Sequence, residues 1–333
     1  MCMLSNGVTG KSYSEISKAI GLCDYSVEDL NTFNKKMIAG LQKADEGADF
    51  ISANSIWSNK QISLKKNFID TNKAFYGAKC QSVDFTDPST VNMMNQWCSE
   101  STNGKIDKFI NKTNGTDLLY IANALYFSAK WKNEFDESNT KEGVFTSNTG
   151  EQRKGVFMNR KTNEAYYDNN LFTTTTVTYG NGAYYMQLIL PKENITVVQL
   201  LDKLKEPGYW AECKAHEVNY AVNLSLPKFN IDGEEAALKD FLKELGIQKI
   251  FEPSSDFSLM TDAVAGISKI NQKTHLSIDE KGSEAATVTY TDIITSPGTK
   301  PLTVSFTANR PFLFAICESS TNAFLFIGVV SKL

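Results

Sequence analysis

Ile278-Asp-Glu-Lys-Gly-Ser-Glu-Ala-Ala-Thr-Val-Thr-Tyr-Thr-Asp-Ile-Ile-Thr-Ser-Pro-Gly298 is the stretch on which the reading of this chain turns. Gly282 near one end and Pro297-Gly298 at the other punctuate it as a loop. Between them runs a period of two. Ser283, Ala285, Thr287, Thr289 and Thr291 share one parity, all small and uncharged; Glu284, Ala286, Val288, Tyr290 and Asp292 share the other, with both acids and the aromatic ring. Strand side chains alternate between faces, so the segment has one small, buriable face and one that tolerates water. Such a segment is suited to becoming a central strand. It also suits an ordinary edge strand, and periodicity alone leaves both open.

Upstream of it the chain opens with helices. Ser12-x-x-Glu15 has the form of a capping box starting a helix that runs to Ile20. Leu30, Phe33, Met37 and Leu41 repeat at helical spacing, and Leu64, Phe68 and Phe75 mark another helix after a strand over 50–58. Val91, Met94 and Trp97, then Ile106, Phe109 and Ile110 beyond Gly104, predict a broken helix. From Asp117 the character changes. Residues 118–127 are apolar at both parities, as a strand buried on both faces must be. A hairpin is expected over 177–190 around Gly180-Asn181-Gly182, a half-buried strand over 218–226, and a helix over 234–245 closed by Gly246. The C-terminus reads as a hairpin of 312–316 and 324–330. No repeat, linker or low-complexity tract divides the chain. The expectation is one α+β domain over 1–333 with large, mainly antiparallel sheets.

Composition narrows the function. The chain has 333 residues, 41% hydrophobic and 22% charged, which is ample for a sizeable core. Its net charge of −4 argues against a nucleic-acid partner, which needs a basic excess. No apolar run reaches the roughly 20 residues that cross a bilayer. The six cysteines include no Cys-x-x-Cys pair, so neither zinc nor a disulfide scaffold is indicated. A hydrolase triad would have to use His216 or His275, and no Gly-x-Ser-x-Gly elbow accompanies them. Ser5-Asn-Gly-Val-Thr-Gly-Lys-Ser12 has the end of a phosphate loop, but Ser5 stands where glycine is required and no strand precedes it. Asp279-Glu280 lacks a third ligand and reads as a solvated strand end. The Asn-x-Ser/Thr triplets at Asn111, Asn114, Asn194 and Asn223 are assigned no role.

Several segments, in order along the chain, resemble the serpin family. Asp279-Glu-Lys-Gly-Ser-Glu-Ala-Ala286 is similar to the hinge of the serpin reactive-centre loop. Phe306-Thr-Ala-Asn-Arg-Pro-Phe-Leu-Phe-Ala315 resembles the strand region after that loop, and Phe324-Leu-Phe-Ile-Gly328 the closing strand. Asn123-Ala-Leu-Tyr-Phe-Ser-Ala-Lys-Trp131, with Phe135, resembles the central-strand motif. Residues 99–106, Pro227-Lys-Phe229 and Leu245-Gly-Ile-Gln-Lys-Ile-Phe251 match as well. Three departures stand out. Gln272 occupies a position where many members carry a histidine, the sequence after Gly328 differs, and Met3-Leu4-Ser5 resembles the middle of the family's second helix. The chain is therefore expected to lack the first helix, the first strand and the start of the second helix, so an invisible signal peptide does not bear on location.

The resemblance implies a serpin fold with an exposed reactive-centre loop at about 280–300, and an inhibitor rather than an enzyme, without cofactor. A protease cleaves the loop, is held as an acyl-enzyme, and is disabled when the freed limb inserts into the main sheet. It further implies a hinge of Glu280, Gly282, Ser283, Glu284, Ala285, Ala286 and Thr287. Asn123, with Gln272 as its donor, would belong to the shutter where the central strands part, and Trp131 would cover the breach where the loop enters. The family's usual spacing puts the scissile bond at Ser296–Pro297. Proline beyond the bond is cut poorly, so Thr295–Ser296 is the expected bond, with Ile294–Thr295 next. No Lys or Arg lies between Lys281 and Lys300, which points to an elastase-like serine protease or a papain-like cysteine protease. A monomer at an extracellular, cell-surface or periplasmic location is expected. The rival reading is a non-inhibitory serpin that binds a ligand or acts as a chaperone.

Overall fold

The structure is a computed structural model that describes residues 1–232, 236–283 and 302–333. The chain forms two compact units. Met1–Lys43, Phe50–Phe127 and Ile231–His275 make the first; Ala44–Asp49, Ser128–Asn230 and Leu276–Leu333 make the second.

The chain starts with α1 (Cys2–Ser5), α2 (Gly10–Ala19) and α3 (Val27–Leu41), then β1 (Ala48–Asn59), α4 (Lys66–Tyr76), β2 (Lys79–Val83), α5 (Ser89–Ser101) and β3 (Leu119–Lys130). The capping box is not Ser12–Glu15. A capping box instead forms at Ser26, whose hydroxyl accepts from the Asp29 amide at 3.1 Å while the Asp29 carboxylate takes the Ser26 amide. Ser12 is inside α2 and donates to Asp256, and the Glu15 carboxylate accepts from the amides of Gln248 and Lys249. The second half of the predicted broken helix is not helical. Ile106, Phe109 and Ile110 are buried, but the Asn95 side chain binds the backbone of Phe109 and Ile110 in place of a helical ladder. On β3, Leu119 and Ile121 enter one core with Ile56, Phe68 and Ile270, and Tyr120, Ala122 and Ala124 enter another with Trp57, Trp97 and Phe109. Both faces are buried, which is why both parities are apolar.

There follow β4 (Lys141–Thr146), β5 (Gln152–Asp168), β6 (Phe172–Thr178), β7 (Tyr184–Pro191), α6 (Val197–Leu204), α7 (Tyr209–Ala215), β8 (Val218–Pro227) and β9 (Phe229–Asp232). Next come β10 (Ala236–Ala237), α8 (Lys239–Glu244), β11 (Lys269–Ile278), β12 (Gly282–Ser283), β13 (Thr303–Thr307), β14 (Phe312–Glu318) and β15 (Phe324–Val330). The helix expected over 234–245 is thus confined to its second half, since Ala236 and Ala237 pair with Gln272 and Asn271; residues 234 and 235 lie outside the described residues.

In the second unit the strand order is β13-β8-β5-β6-β7-β14-β15, with β4 on β5. Its pairs are antiparallel apart from β13–β8. The sheets are mainly antiparallel, and in the first unit β1–β2 and β3–β11 are parallel. Parallel neighbours need a long return path: α4 supplies it between β1 and β2, and β3 and β11 lie far apart in the chain. α+β describes the whole, with mixed sheets.

Candidate functional site

The segment expected to form the hinge begins in a tight turn. Asp279 closes it, its carboxylate accepting from the amides of Lys281 at 2.8 Å and Gly282 at 3.1 Å, and its own amide donating to the Gly282 carbonyl. The chain then enters β12. Gly282 pairs with Lys130 and Ser283 with Ala129 of β3, while Ser283 also pairs with Ile278 of β11. These two residues therefore sit between the ends of two strands. Gly282 has φ of +147°, and a Cβ there would stand 2.2 Å from the Ala129 carbonyl oxygen, so only glycine fits. Ser283 is fully buried, with its hydroxyl 2.8 Å from the Tyr179 phenol. Burial pushes that phenol's pKa well above its ordinary value.

Glu280 corrects the sequence reading of a solvated strand end. It is 5% exposed, and its carboxylate meets Lys228 at 2.6 Å and the Thr140 hydroxyl at 2.8 Å. Burial opposes its charge, but hydrogen bonds from Lys228 and Thr140 outweigh burial and leave its pKa below the usual carboxylate value. Trp131 covers this turn. Its indole N–H donates to the Asp279 carbonyl at 2.9 Å, its backbone N–H to Lys281, and its ring stacks on Tyr179 at 4.3 Å. Phe135 packs edge-on against Trp131 and donates its backbone N–H to the Glu280 carbonyl. The arrangement grips the start of the loop through backbone, aromatic and charged contacts together.

In the first unit Asn123 on β3 faces Gln272 on β11 in register. Gln272 Nε2 donates to Asn123 Oδ1 at 3.3 Å, and Asn123 Nδ2 donates to Asn54 Oδ1 at 3.1 Å and to the Ala53 carbonyl at 3.3 Å. A polar residue within an otherwise buried strand is thereby paired. His275 lies in the same strand, opposite Tyr126.

Glu284, Ala285, Ala286, Thr287, Ile294, Thr295, Ser296 and Pro297 lie outside the described residues. Lys228, Thr140 and Tyr179 are contacts of the hinge to which the sequence reading gave no role. Lys228 lies in a quoted motif, Pro227-Lys-Phe229, so a buried acid in the hinge was the signal that could have found it. The phosphate-loop pattern is spent on structure, because the amides of Thr9 and Ser12 are taken by the carbonyl and carboxylate of Asp256. Among the described residues no cluster of His, Cys, Asp or Glu could hold a metal ion, and no helix is long and apolar enough to cross a membrane.

β3 and β11 pair in parallel, and the ends of both strands pair with β12. The comparisons give the class. The model of the family Serpin (serine protease inhibitor) matches residues 1–333. An uncharacterized serpin-like protein of Methanosarcina acetivorans is 30% identical over 342 residues, covering 100% of this chain and 78% of that protein. The crystal structure of a thermophilic serpin, tengpin, in the native state superposes with a TM-score of 0.88 at 32% identity, covering 100% of this chain and 85% of that one. Thyroxine-binding globulin in complex with thyroxine shares the fold at a TM-score of 0.87 and 24% identity, covering 99% and 89%. This chain belongs to the serpin family. Serpins act on proteases as inhibitors and not as catalysts, and the family also includes members that do not inhibit.

Proposed function

We propose that this protein inhibits endopeptidases as a suicide substrate, within a single serpin domain over residues 1–333. The observation that carries the proposal is β12: Gly282 and Ser283 already pair with β3, and Ser283 with β11. Residues 280–300 are offered to the protease, with the bond after Thr295 preferred. The protease nucleophile attacks the Thr295 carbonyl, the amine of Ser296 leaves, and an acyl-enzyme remains. The freed limb then extends β12 between β3 and β11, carrying the protease with it before water can cleave the ester or thioester. Glu280, Gly282, Ser283, Glu284, Ala285, Ala286 and Thr287 act as hinge, Asn123 with Gln272 as the shutter that must part, and Trp131 as cover of the breach. The absence of Lys and Arg over 282–299 favours an elastase-like target, and the family favours an extracellular monomer.

Mixing with an elastase tests this. An SDS-resistant band at the summed mass and cleavage within residues 293–297 by mass spectrometry are expected. Cleavage confined to Lys281 or Lys300 refutes the target class. Cleavage without any covalent band favours a second reading, a binding serpin. One feature speaks for that reading: an apolar cavity of about 230 Å³ lined by Leu201, Leu204, Trp210, Leu313, Phe324 and Ile327.

A further inference from the structure

Arg160 and Glu164 are buried on one face of β5, with side chains 7% and 6% exposed, and the hinge contacts described above do not use them. Their link is thin. Arg160 Nη2 reaches Glu164 Oε1 at 3.4 Å, while Arg160 Nε and Nη1 have no partner among the described residues. The guanidinium lies instead over the Phe135 ring, 4.5 Å from its centroid. Glu164 is better served, because its Oε2 accepts from the hydroxyls of Thr176 and Thr178 at 3.2 and 3.1 Å. Burial lowers the Arg160 pKa to about 10 and raises that of Glu164, so each charge is held at a cost.

The two ends of this pair reach the two sides of the hinge cover. Arg160 supports Phe135, which packs on Trp131 and holds the Glu280 carbonyl. Glu164 holds Thr178, whose carbonyl accepts from Lys132 and whose neighbour Tyr179 stacks on Trp131 and bonds Ser283. We propose that Arg160 and Glu164 are positioning residues for the hinge cover, and that the incompletely bonded guanidinium keeps the closed cover easy to open. Closed, two guanidinium nitrogens go without acceptors; once Phe135 swings away, water can reach them. The pair thus fixes where the aromatic residues sit while lowering the barrier to the strand's entry. This rests on the inhibitory reading, since a loop that never inserts has no need of an opening cover.

The test is the double variant Arg160→Met/Glu164→Gln, which keeps the volume over Phe135 and the acceptor for the two threonines but removes both charges. A synthetic peptide of residues 284–293 is added to the intact protein, and its uptake is followed by tryptophan fluorescence and native gel. The variant is expected to melt at or above the wild-type temperature and to take up peptide at least about fivefold more slowly, the effect of one buried donor no longer left unmet. Arg160→Met alone should melt lower, because Glu164 is then buried without its cation. Uptake by the double variant as fast as wild type, or a lower melting temperature, overturns the proposal, leaving the pair an ordinary brace. Wild-type protein that takes up no peptide overturns the insertion reading itself, and this inference with it.

Discussion

Replacing Gly282 with alanine should dislodge β12, Gly282 and Ser283, from its partners. The added Cβ would stand 2.2 Å from the Ala129 carbonyl oxygen, 2.6 Å from Lys130 Cα and 3.0 Å from the Ala129 carbonyl carbon. All three are backbone atoms of β3, so no side chain can swing aside. A φ of +147° adds strain of about 1–3 kcal/mol for any residue but glycine. If β12 lifts away, the rungs at Lys130 and Ala129 and the Ser283–Tyr179 bond go with it, each worth about 0.5–1.5 kcal/mol. Lifting away relieves the strain, so the cost is that of the lost contacts, about 1.5–4.5 kcal/mol. An unfolding entropy of about 2.1 cal/mol/K per residue over 333 residues gives about 0.7 kcal/mol per degree, hence a Tm lower by about 2–6 °C. Gly104→Ala is the control. Its φ is +75°, but nothing lies within 4 Å of the added carbon, so it should cost only about 1 kcal/mol. The assay is a thermal melt with amide exchange read at Ser283, which should lose protection in Gly282→Ala alone. Equal melting of the two variants with Ser283 still protected would refute the close-approach argument.

Three further outcomes follow from the site. Glu280 has a lowered pKa when folded, so its contribution to stability is complete above the ordinary carboxylate value of about 4.3 and is lost as pH falls through the folded value. The melting gap between wild type and Glu280→Gln should therefore be constant above about pH 5 and shrink in more acid solution; a gap that widens there contradicts the sign. Asn123→Ala removes the acceptor of Gln272 and the donor to Asn54 and Ala53, and should lower stability by about 1–3 kcal/mol in a denaturant titration, against no change if the amide is idle. Cutting the loop between residues 293 and 297 should raise the melting temperature, whereas a nick in an exposed loop ordinarily does nothing or destabilises; a nicked form that melts no higher than the intact one speaks for the non-inhibitory reading.

What the sequence revealed follows from the range of each interaction. β3 was legible because burial on both faces erases alternation, and residues 118–127 show that erasure directly. The expected hinge shows the opposite signal, since residues 283–292 alternate between a small, uncharged parity and one that carries the acids and the aromatic ring, a pattern that suits an edge strand equally well. Its partners left no local trace: Thr140 lies 140 residues from Glu280 and Tyr179 lies 104 from Ser283. The misreadings have two causes. Side chains did the work of backbone hydrogen bonds at Asn95, and short strand pairing overrode helical spacing at Ala236 and Ala237. The capping motif at Ser12 was diverted in the same way, its hydroxyl bonding Asp256 rather than its own helix.

The register of β12 carries the argument one step further along the loop. Ser283 pairs antiparallel with Ala129 on one side and with Ile278 on the other. Six residues onward in both registers, an inserting strand would bring Thr289 opposite Asn123 and Gln272, two residues that already pair with each other across the closed sheet. Insertion must separate them, and their hydrogen bond at 3.3 Å is lost. A threonine hydroxyl both donates and accepts, so Thr289 can serve the carbonyl oxygen of one amide and the N–H of the other. Valine has the same shape and parity but neither capacity, and would leave two amides unmet at about 1–3 kcal/mol each. Thr289→Val should therefore leave the melting temperature of intact protein unchanged and lower that of the nicked form. A merely edge-forming strand predicts no difference in either state, and so does insertion in any other register. A loss confined to the nicked protein would tie the small face of the loop to the amide pair it replaces.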